Sequence, residues 1–132
     1  MLHNKIDQYL KAIEVVIESV ENVYIEKYLE EILTDERANL RIRLRFISGH
    51  LLEMHEAIVI SNEQLEHLDY RYHFQDPDNQ LIFRYDSTPH FPNLKTFPHH
   101  KHFYDQVFPS TKPALSDVIQ EACTMIKNPE SK

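Results

Sequence analysis

Hydrophobic residues near both ends of the chain recur at helical spacing. Near the N-terminus, the stripe consists of Ile6, Tyr9, Leu10, Ile13, Val16, Ile17 and Val20. This spacing predicts an amphipathic helix over residues 5–20, with Asn4 as its N-cap. A second stripe consists of Leu115, Val118, Ile119, Ala122, Met125 and Ile126. It predicts a helix that follows Pro113 and stops at Asn128-Pro129.

From Leu40 the period of the pattern is two. Residues 40–46 alternate between apolar side chains and arginines, which is typical of a strand with one buried face. The sequence Ser48-Gly49-His50 predicts a three-residue turn with Gly49 in the left-handed conformation. This turn would place Phe46 opposite Leu52 and Leu44 opposite Met54. Arg45 would then face Glu53, and Arg43 would face His55.

Two more strands are predicted around the turn Asp76-Pro77-Asp78-Asn79. In the first, Leu68, Tyr70, Tyr72 and Phe74 point to one face. In the second, Leu81, Phe83 and Tyr85 point to that same apolar face, and Ile82, Arg84 and Asp86 point to the other. The four strands therefore agree on one apolar, aromatic face and one charged face.

Two segments carry a weaker pattern. Residues 23–33 fit both a helix and a strand, and we favour a strand because one helix continuing to Leu33 would be unusually long. Residues 87–113 are rich in proline and lack a period, which indicates an ordered loop wrapped on the domain. The prediction is a single α+β domain over residues 1–132. It consists of an antiparallel sheet with the N- and C-terminal helices packed on one face.

Composition narrows the function classes. The 132 residues include one glycine, so the chain has no glycine-rich loop for nucleotide phosphates. The net charge of −7 argues against sequence-independent binding of duplex DNA. A single cysteine, Cys123, excludes an internal disulfide and suits the cytoplasm. No apolar run is long enough for a membrane span, and we expect no cofactor.

The charged sheet face is the first candidate for a functional surface. It carries Arg43, Arg45, Glu53, His55, Asp69, Arg71, His73, Arg84 and Asp86. One interpretation is a solvated face with cross-strand ion pairs, each contributing about 0.2–1 kcal/mol. The other is a locally positive surface, because arginines and histidines outnumber the acids. Such a surface would suit a phosphodiester backbone or an acidic peptide.

The segment Pro89–His102 is the second candidate, because it is rich in histidine. In an extended segment His100 and His102 point to the same side, and with His90 or His99 they could bind zinc or nickel. However, no acid or cysteine stands at a dependable ligand spacing, and Lys101 would oppose a cation. We therefore expect these histidines to act as hydrogen-bonding or acid/base groups, without a metal.

Several segments together resemble a known family. They are Tyr70-Arg71-Tyr72-His73-Phe74-Gln75-Asp76, Leu81-Ile82-Phe83-Arg84-Tyr85-Asp86 and Thr96-Phe97-Pro98-His99-His100-Lys101-His102. The chain is similar to the TumE-like toxins of prokaryotic toxin–antitoxin modules over about residues 38–105. The resemblance implies a toxin that is neutralised by a cognate antitoxin, a small DNA-binding protein of the helix-turn-helix type.

Three functions follow as hypotheses. The first is a toxin that acts on RNA as a metal-independent endoribonuclease, which needs a base, an acid and cations for the phosphorane charge. Its candidate catalytic residues are His73, Arg84, Asp86, His99, His100 and His102. Its candidate substrate-binding residues are Arg43, Arg45, Arg71 and His90.

The second hypothesis is a non-enzymatic module that binds a protein partner through the Arg/His face. The third is a metal-dependent hydrolase built on His99, His100 and His102. In each case an exposed edge strand at residues 23–33 would allow a homodimer or the addition of an antitoxin strand.

Overall fold

A computed structural model of the chain describes residues 1–89 and 91–128. The elements in chain order are α1 (Asn4–Glu18), β1 (Val23–Thr34), β2 (Arg37–Phe46), β3 (Leu51–Ser61), β4 (Gln64–Gln75), β5 (Leu81–Asp86), β6 (His100–Phe103), β7 (Gln106–Pro109) and α2 (Leu115–Lys127). The strands form one antiparallel sheet in sequence order, which confirms the predicted α+β architecture. Among the described residues, neither helix has the length and apolar character needed to cross a membrane.

Both helices bury their apolar stripes on one face of the sheet. The core contributions are Ile6, Leu10, Ile13 and Ile17 from α1 and Leu115, Val118, Ile119 and Ala122 from α2. They pack against the even-numbered residues of β2 and β3, against Tyr70, Tyr72 and Phe74 of β4, and against Phe83 and Tyr85 of β5. The side of the sheet that faces the helices is called the inner face below, and the opposite side the outer face.

The start of α1 differs from the prediction by one residue. The helix begins at Asn4, and its N-cap is His3. The His3 Nδ1 atom accepts a hydrogen bond from the Lys5 backbone N–H at 3.1 Å, so it satisfies a donor that the first helical turn leaves open. The predicted N-cap Asn4 is therefore wrong.

Residues 23–33 are a strand, as we favoured. Among the strands of residues 1–89 and 91–128, β1 pairs with β2 alone, so it forms one edge of the sheet. Most of its side chains are exposed, including the large apolar residues Tyr24, Ile25, Leu29, Ile32 and Leu33.

The predicted register of β2 and β3 is wrong by two residues. Leu44 lies opposite Leu52 and Arg43 opposite Glu53, and Arg45 lies opposite Leu51. The turn is formed one residue earlier than expected, by residues 47–49, because Phe46 pairs with His50 through a 2.9 Å hydrogen bond. Gly49 has a φ of 95°, which is the left-handed residue that such a turn needs. The shift is even, so every side chain keeps its predicted face.

Strands β4 and β5 pair with Tyr72 opposite Tyr85 and Phe74 opposite Phe83, so these four residues share the predicted apolar face. The prediction for the start of β5 is wrong, because a register shift after Phe74 places Leu81 opposite Gln75, and Ile82, expected on the charged face, belongs to the buried core. Leu68 is an exception, since it was expected on the apolar face and is 54% exposed. A β-bulge between β3 and β4 skips Leu68, so Asp69 and His67 take successive partners on β3. The bulge breaks the period of two at this point.

Residues 87–113 contain a β-hairpin that the sequence pattern did not predict. Strands β6 and β7 are joined by the two-residue turn Tyr104-Asp105, and Tyr104 has a φ of 53°. This turn lacks the Asn-Gly or Asp-Gly signal of most two-residue hairpins. His100 and His102 consequently belong to the sheet itself and are not folded over it from a loop.

Candidate functional site

Two rows of side chains cross the outer face of the sheet, because directly opposed residues on successive strands share a face. The first row runs Arg43, Glu53, His73, Arg84, His102. The second row runs Arg41, His55, Arg71, Asp86, His100. Where the rows cross β4, β5 and β6 they bring together six predicted site residues. These form the His–Arg patch: Arg71, His73, Arg84, Asp86, His100 and His102.

In the first row, His73 fixes the position of Arg84. The guanidinium of Arg84 lies 3.2 Å (Nε) and 3.0 Å (Nη2) from His73 Nδ1, and His73 Nε2 lies 2.8 Å from Gln75 Oε1. Burial lowers the pKa of His73, and the positive charges of Arg84 and Arg71 add to this effect. His73 is therefore a neutral acceptor for Arg84 and not a cation beside it.

Ion pairing separates the arginines of the outer face into two groups. Arg43 and Arg45 bind Glu26 of β1 at 2.8 and 3.2 Å, and Arg43 also binds Glu53 at 3.1 Å. Within the described part of the chain, no carboxylate lies within ion-pair distance of Arg71 or Arg84. Arg43 and Arg45 were expected to bind substrate, but the structure places them outside the patch with acidic partners.

The second row ends in a compact group of ligand-type atoms. His100 Nε2 lies 2.9 Å from Asp86 Oδ1, and one ligand atom from each of Asp86, His100 and His102 lies within 4.8 Å of the others. Asp86 is 5% exposed and His100 is 1% exposed. The ring of Phe91 packs edge-on against both histidines, with centroid distances of 5.0 and 5.9 Å.

Two predicted site residues are not part of this group. His99 stacks on the inner-face residue Tyr70 with the ring centroids 5.7 Å apart, and its Nδ1 is hydrogen-bonded to the Tyr70 hydroxyl at 2.9 Å. It therefore lies on the other side of the sheet from His100. His90 lies outside the described residues.

Sequence reasoning missed a buried polar cluster on the inner face. Glu56 accepts hydrogen bonds from the hydroxyls of Tyr9 and Tyr72 and lies 3.1 Å from His67 Nε2. Lys112 lies over the ring of Tyr72 at 5.6 Å. The sequence could have indicated a buried glutamate, because Glu56 occupies a position of the period-two pattern at which apolar residues are expected. No such signal marked His67, which the β-bulge turns inward.

A cavity of about 780 Å³ lies between the two helices and the β2–β3 turn. Its lining includes Val16, Phe46, Ile119, Cys123 and Ile126. Burial raises the pKa of the Cys123 thiol, so the thiol is not an activated nucleophile. The cavity is on the helix side of the sheet. On the outer face, Arg71 is exposed and His73, Arg84 and His102 are partly exposed, whereas Asp86 and His100 are buried.

The comparisons with known proteins give one match. The model of a family described as toxin TumE matches residues 13–128 of the chain. The match extends from the middle of α1 through α2 and includes every described residue of the His–Arg patch. No curated protein and no solved structure shows significant similarity to the chain.

Proposed function

Since the chain belongs to the TumE toxin family, we propose that it is a cytoplasmic toxin that cleaves RNA at the His–Arg patch. The observation that supports this is the pair Arg71 and Arg84, which lie on adjacent strands beside Asp86 and have no carboxylate partner among the described residues. A guanidinium binds phosphate oxygens through several N–H donors at once.

The neighbours of these arginines support the proposed chemistry. Arg84 lies opposite His102 and Arg71 lies opposite Asp86, so a phosphate bound by both arginines would lie against the imidazoles and the carboxylate of the patch. Cleavage of a phosphodiester requires proton transfer and stabilisation of negative charge at one phosphorus centre. The patch supplies groups for both.

The experiment compares growth arrest and RNA cleavage by the wild type with Arg84→Ala and Arg71→Ala. We expect each variant to lose at least tenfold in cleavage, which corresponds to about 1.4 kcal/mol of transition-state stabilisation. Arg84→Lys keeps the charge but not the forked donors, and we expect partial activity. Arg37→Ala is the matched control, since Arg37 is an exposed arginine at the far end of β2.

Full growth arrest by both alanine variants would contradict the proposal. A purified wild-type protein that cleaves no RNA and binds a protein partner through the patch would instead support the interaction module.

Membership of a toxin family also implies a cognate antitoxin. We propose that this partner is a small DNA-binding protein whose acidic segment covers the His–Arg patch, because the patch is positive on a chain with a net charge of −7. Co-expression of the small reading frame beside the gene should restore growth. A complex that survives Arg71→Glu and Arg84→Glu with unchanged affinity would place the antitoxin elsewhere.

A further inference from the structure

Among the residues that the structure describes, one ring nitrogen of His100 has no hydrogen-bond partner. His100 Nδ1 lies 2.9 Å from the Pro98 carbonyl oxygen, which can only accept, so Nδ1 carries the hydrogen. The other nitrogen, Nε2, is buried and forms no hydrogen bond with any described residue. In the neutral ring Nε2 has a bare lone pair, and it points to within 2.9 Å of Asp86 Oδ1.

Two electron-rich atoms at this distance in a buried place require a positive charge between them. Either a second proton on the ring or a metal ion can supply it. A backbone carbonyl that accepts from the other ring N–H is one of the common ways in which proteins orient a metal-binding histidine. The Asp86 carboxylate is oriented similarly, since Oδ1 accepts a hydrogen bond from the Thr88 backbone N–H at 3.1 Å.

The third group, His102, distinguishes a metal site from a simple ion pair. It lies on the same face as His100, two residues along β6, with the two ring centroids 5.0 Å apart. Ligand atoms around a zinc ion with bonds near 2.0–2.1 Å are about 3.3 Å apart. The ligand atoms of Asp86, His100 and His102 lie within 4.8 Å of one another, so small side-chain rotations would bring them to the separation that zinc requires.

The sequence-based objection to a cation was Lys101, and the structure removes it. Lys101 points to the inner face, where its Nζ binds Glu121 of α2 at 2.6 Å and lies 4.8 Å from the ring centroid of Tyr85. The sequence pattern also showed no acidic ligand near the histidines, and the structure supplies one. Asp86 is remote from the histidines in sequence but directly opposite His100 across β5 and β6.

We propose that Asp86, His100 and His102 bind one divalent transition-metal ion of the zinc class. Two imidazoles and one carboxylate are a ligand set that leaves a position for water or a substrate oxygen. When bound, such an ion polarises phosphoryl oxygen and lowers the pKa of bound water. Arg71 and Arg84 would then hold a phosphate beside that position, in place of the metal-independent chemistry that the sequence suggested.

The test measures the metal directly and uses no RNA, so it can succeed even if the proposed RNA cleavage fails. The full-length chain is purified without a histidine tag, stripped with EDTA and titrated with ZnCl₂ by calorimetry, and its metal content is measured by mass spectrometry. We expect one Zn²⁺ per chain. His102→Ala and Asp86→Asn should each weaken binding at least tenfold.

His55→Ala is the matched control, because His55 is a half-buried histidine of the outer face in the same row but outside the ligand group. It should bind Zn²⁺ like the wild type. Circular dichroism verifies that each variant folds. If Asp86→Asn fails to fold, His102→Ala still tests the proposal, because His102 is partly exposed and its loss should not prevent folding. Binding of less than half an equivalent by the wild type, or equal affinity in His102→Ala, would overturn the proposal.

Discussion

Glu56 is a carboxylate at a core position, and its 2% exposure makes its hydrogen bonds obligatory. Burial alone raises the pKa of Glu56. The hydrogen bonds and charge of His67, with the hydroxyls of Tyr72 and Tyr9, outweigh it, so the pKa lies below its ordinary value. The network joins α1, β3 and β4 through one side chain, and we assign it a structural role.

We predict that Glu56→Gln lowers the free energy of unfolding at neutral pH by about 2 kcal/mol, because hydrogen bonds to a charged acceptor become bonds to a neutral one. Urea unfolding followed by circular dichroism measures this. Glu53→Gln is the control, since that carboxylate is on the solvent side of the same strand. If the two substitutions lowered the free energy of unfolding equally, the buried network would have no special role in stability.

The same network sets a pH dependence. A carboxyl whose pKa is depressed in the folded state stabilises the protein above its unfolded pKa of about 4.3, and this stability is lost as the pH falls through the folded pKa. The wild type should therefore lose stability below about pH 4.3 more steeply than Glu56→Gln. If the free energy of unfolding of the two proteins fell equally between neutral and acidic pH, the result would contradict this prediction.

At the residue scale, the face of a side chain was predictable where the strand is regular, whereas the residues that contact it were not. The alternation in His100-Lys101-His102 correctly indicates that the two histidines share a side. It does not show that Lys101 binds a helix far along the chain, or that Asp86 stands opposite His100. Those contacts depend on strand pairing across a proline-rich connection, which the local pattern does not encode.

At the scale of elements, β1 is an edge strand with large exposed apolar side chains. Long edges of this kind pair readily with another strand. A second copy fits best, because two β1 strands placed antiparallel about Leu29 bring Lys27 opposite Glu31 on both sides of the axis. The pairing would also leave the His–Arg patch uncovered, since it lies on β4, β5 and β6.

We predict that the chain forms a dimer through β1 and that Leu29→Lys raises the dimer dissociation constant at least tenfold. This substitution places like charges opposite each other at the two-fold axis. Light scattering after size exclusion measures the mass. Val15→Lys is the control, because Val15 is an equally apolar, exposed residue on α1. A monomeric wild type, or a dimer that tolerates Leu29→Lys, would contradict the prediction.

Elements with a strong period were predictable, including both helices and strands β2, β4 and β5. The β2–β3 register was wrong because the position of Gly49 allows two turns that differ by one residue, and both preserve the faces. The β6–β7 hairpin was missed because its strands are four residues each, too short to show a period. Its turn, Tyr104-Asp105, also lacks the residues that are typical of a two-residue hairpin turn. The order of all seven strands came from the structure.

At the scale of the whole molecule, charge is unevenly distributed. The chain carries a net charge of −7, yet Arg41, Arg71 and Arg84 are gathered on the outer face around β4. An anionic polymer is repelled by most of the surface and attracted to one side of the sheet. Such an arrangement orients the approach of RNA more than it increases affinity.

We predict a shallow salt dependence for single-stranded RNA binding. Two phosphate contacts give a slope of about −1.4 in log affinity against log salt, since each contact adds about 0.7. Arg71→Ala should reduce the slope by about 0.7, and Arg37→Ala should leave it unchanged. Fluorescence anisotropy over a salt series provides the measurement. A slope that is the same in all three proteins would mean that Arg71 contacts no phosphate.

The strand order β1 to β7 has a consequence for the timing of synthesis. Each strand after β1 pairs with the one made just before it, so the sheet can grow hairpin by hairpin as the chain leaves the ribosome. The patch is completed only when β6 joins β5, after about three quarters of the chain has been made. If the His–Arg patch is the toxic site, as proposed above, the growing chain would be harmless until β6 has paired with β5.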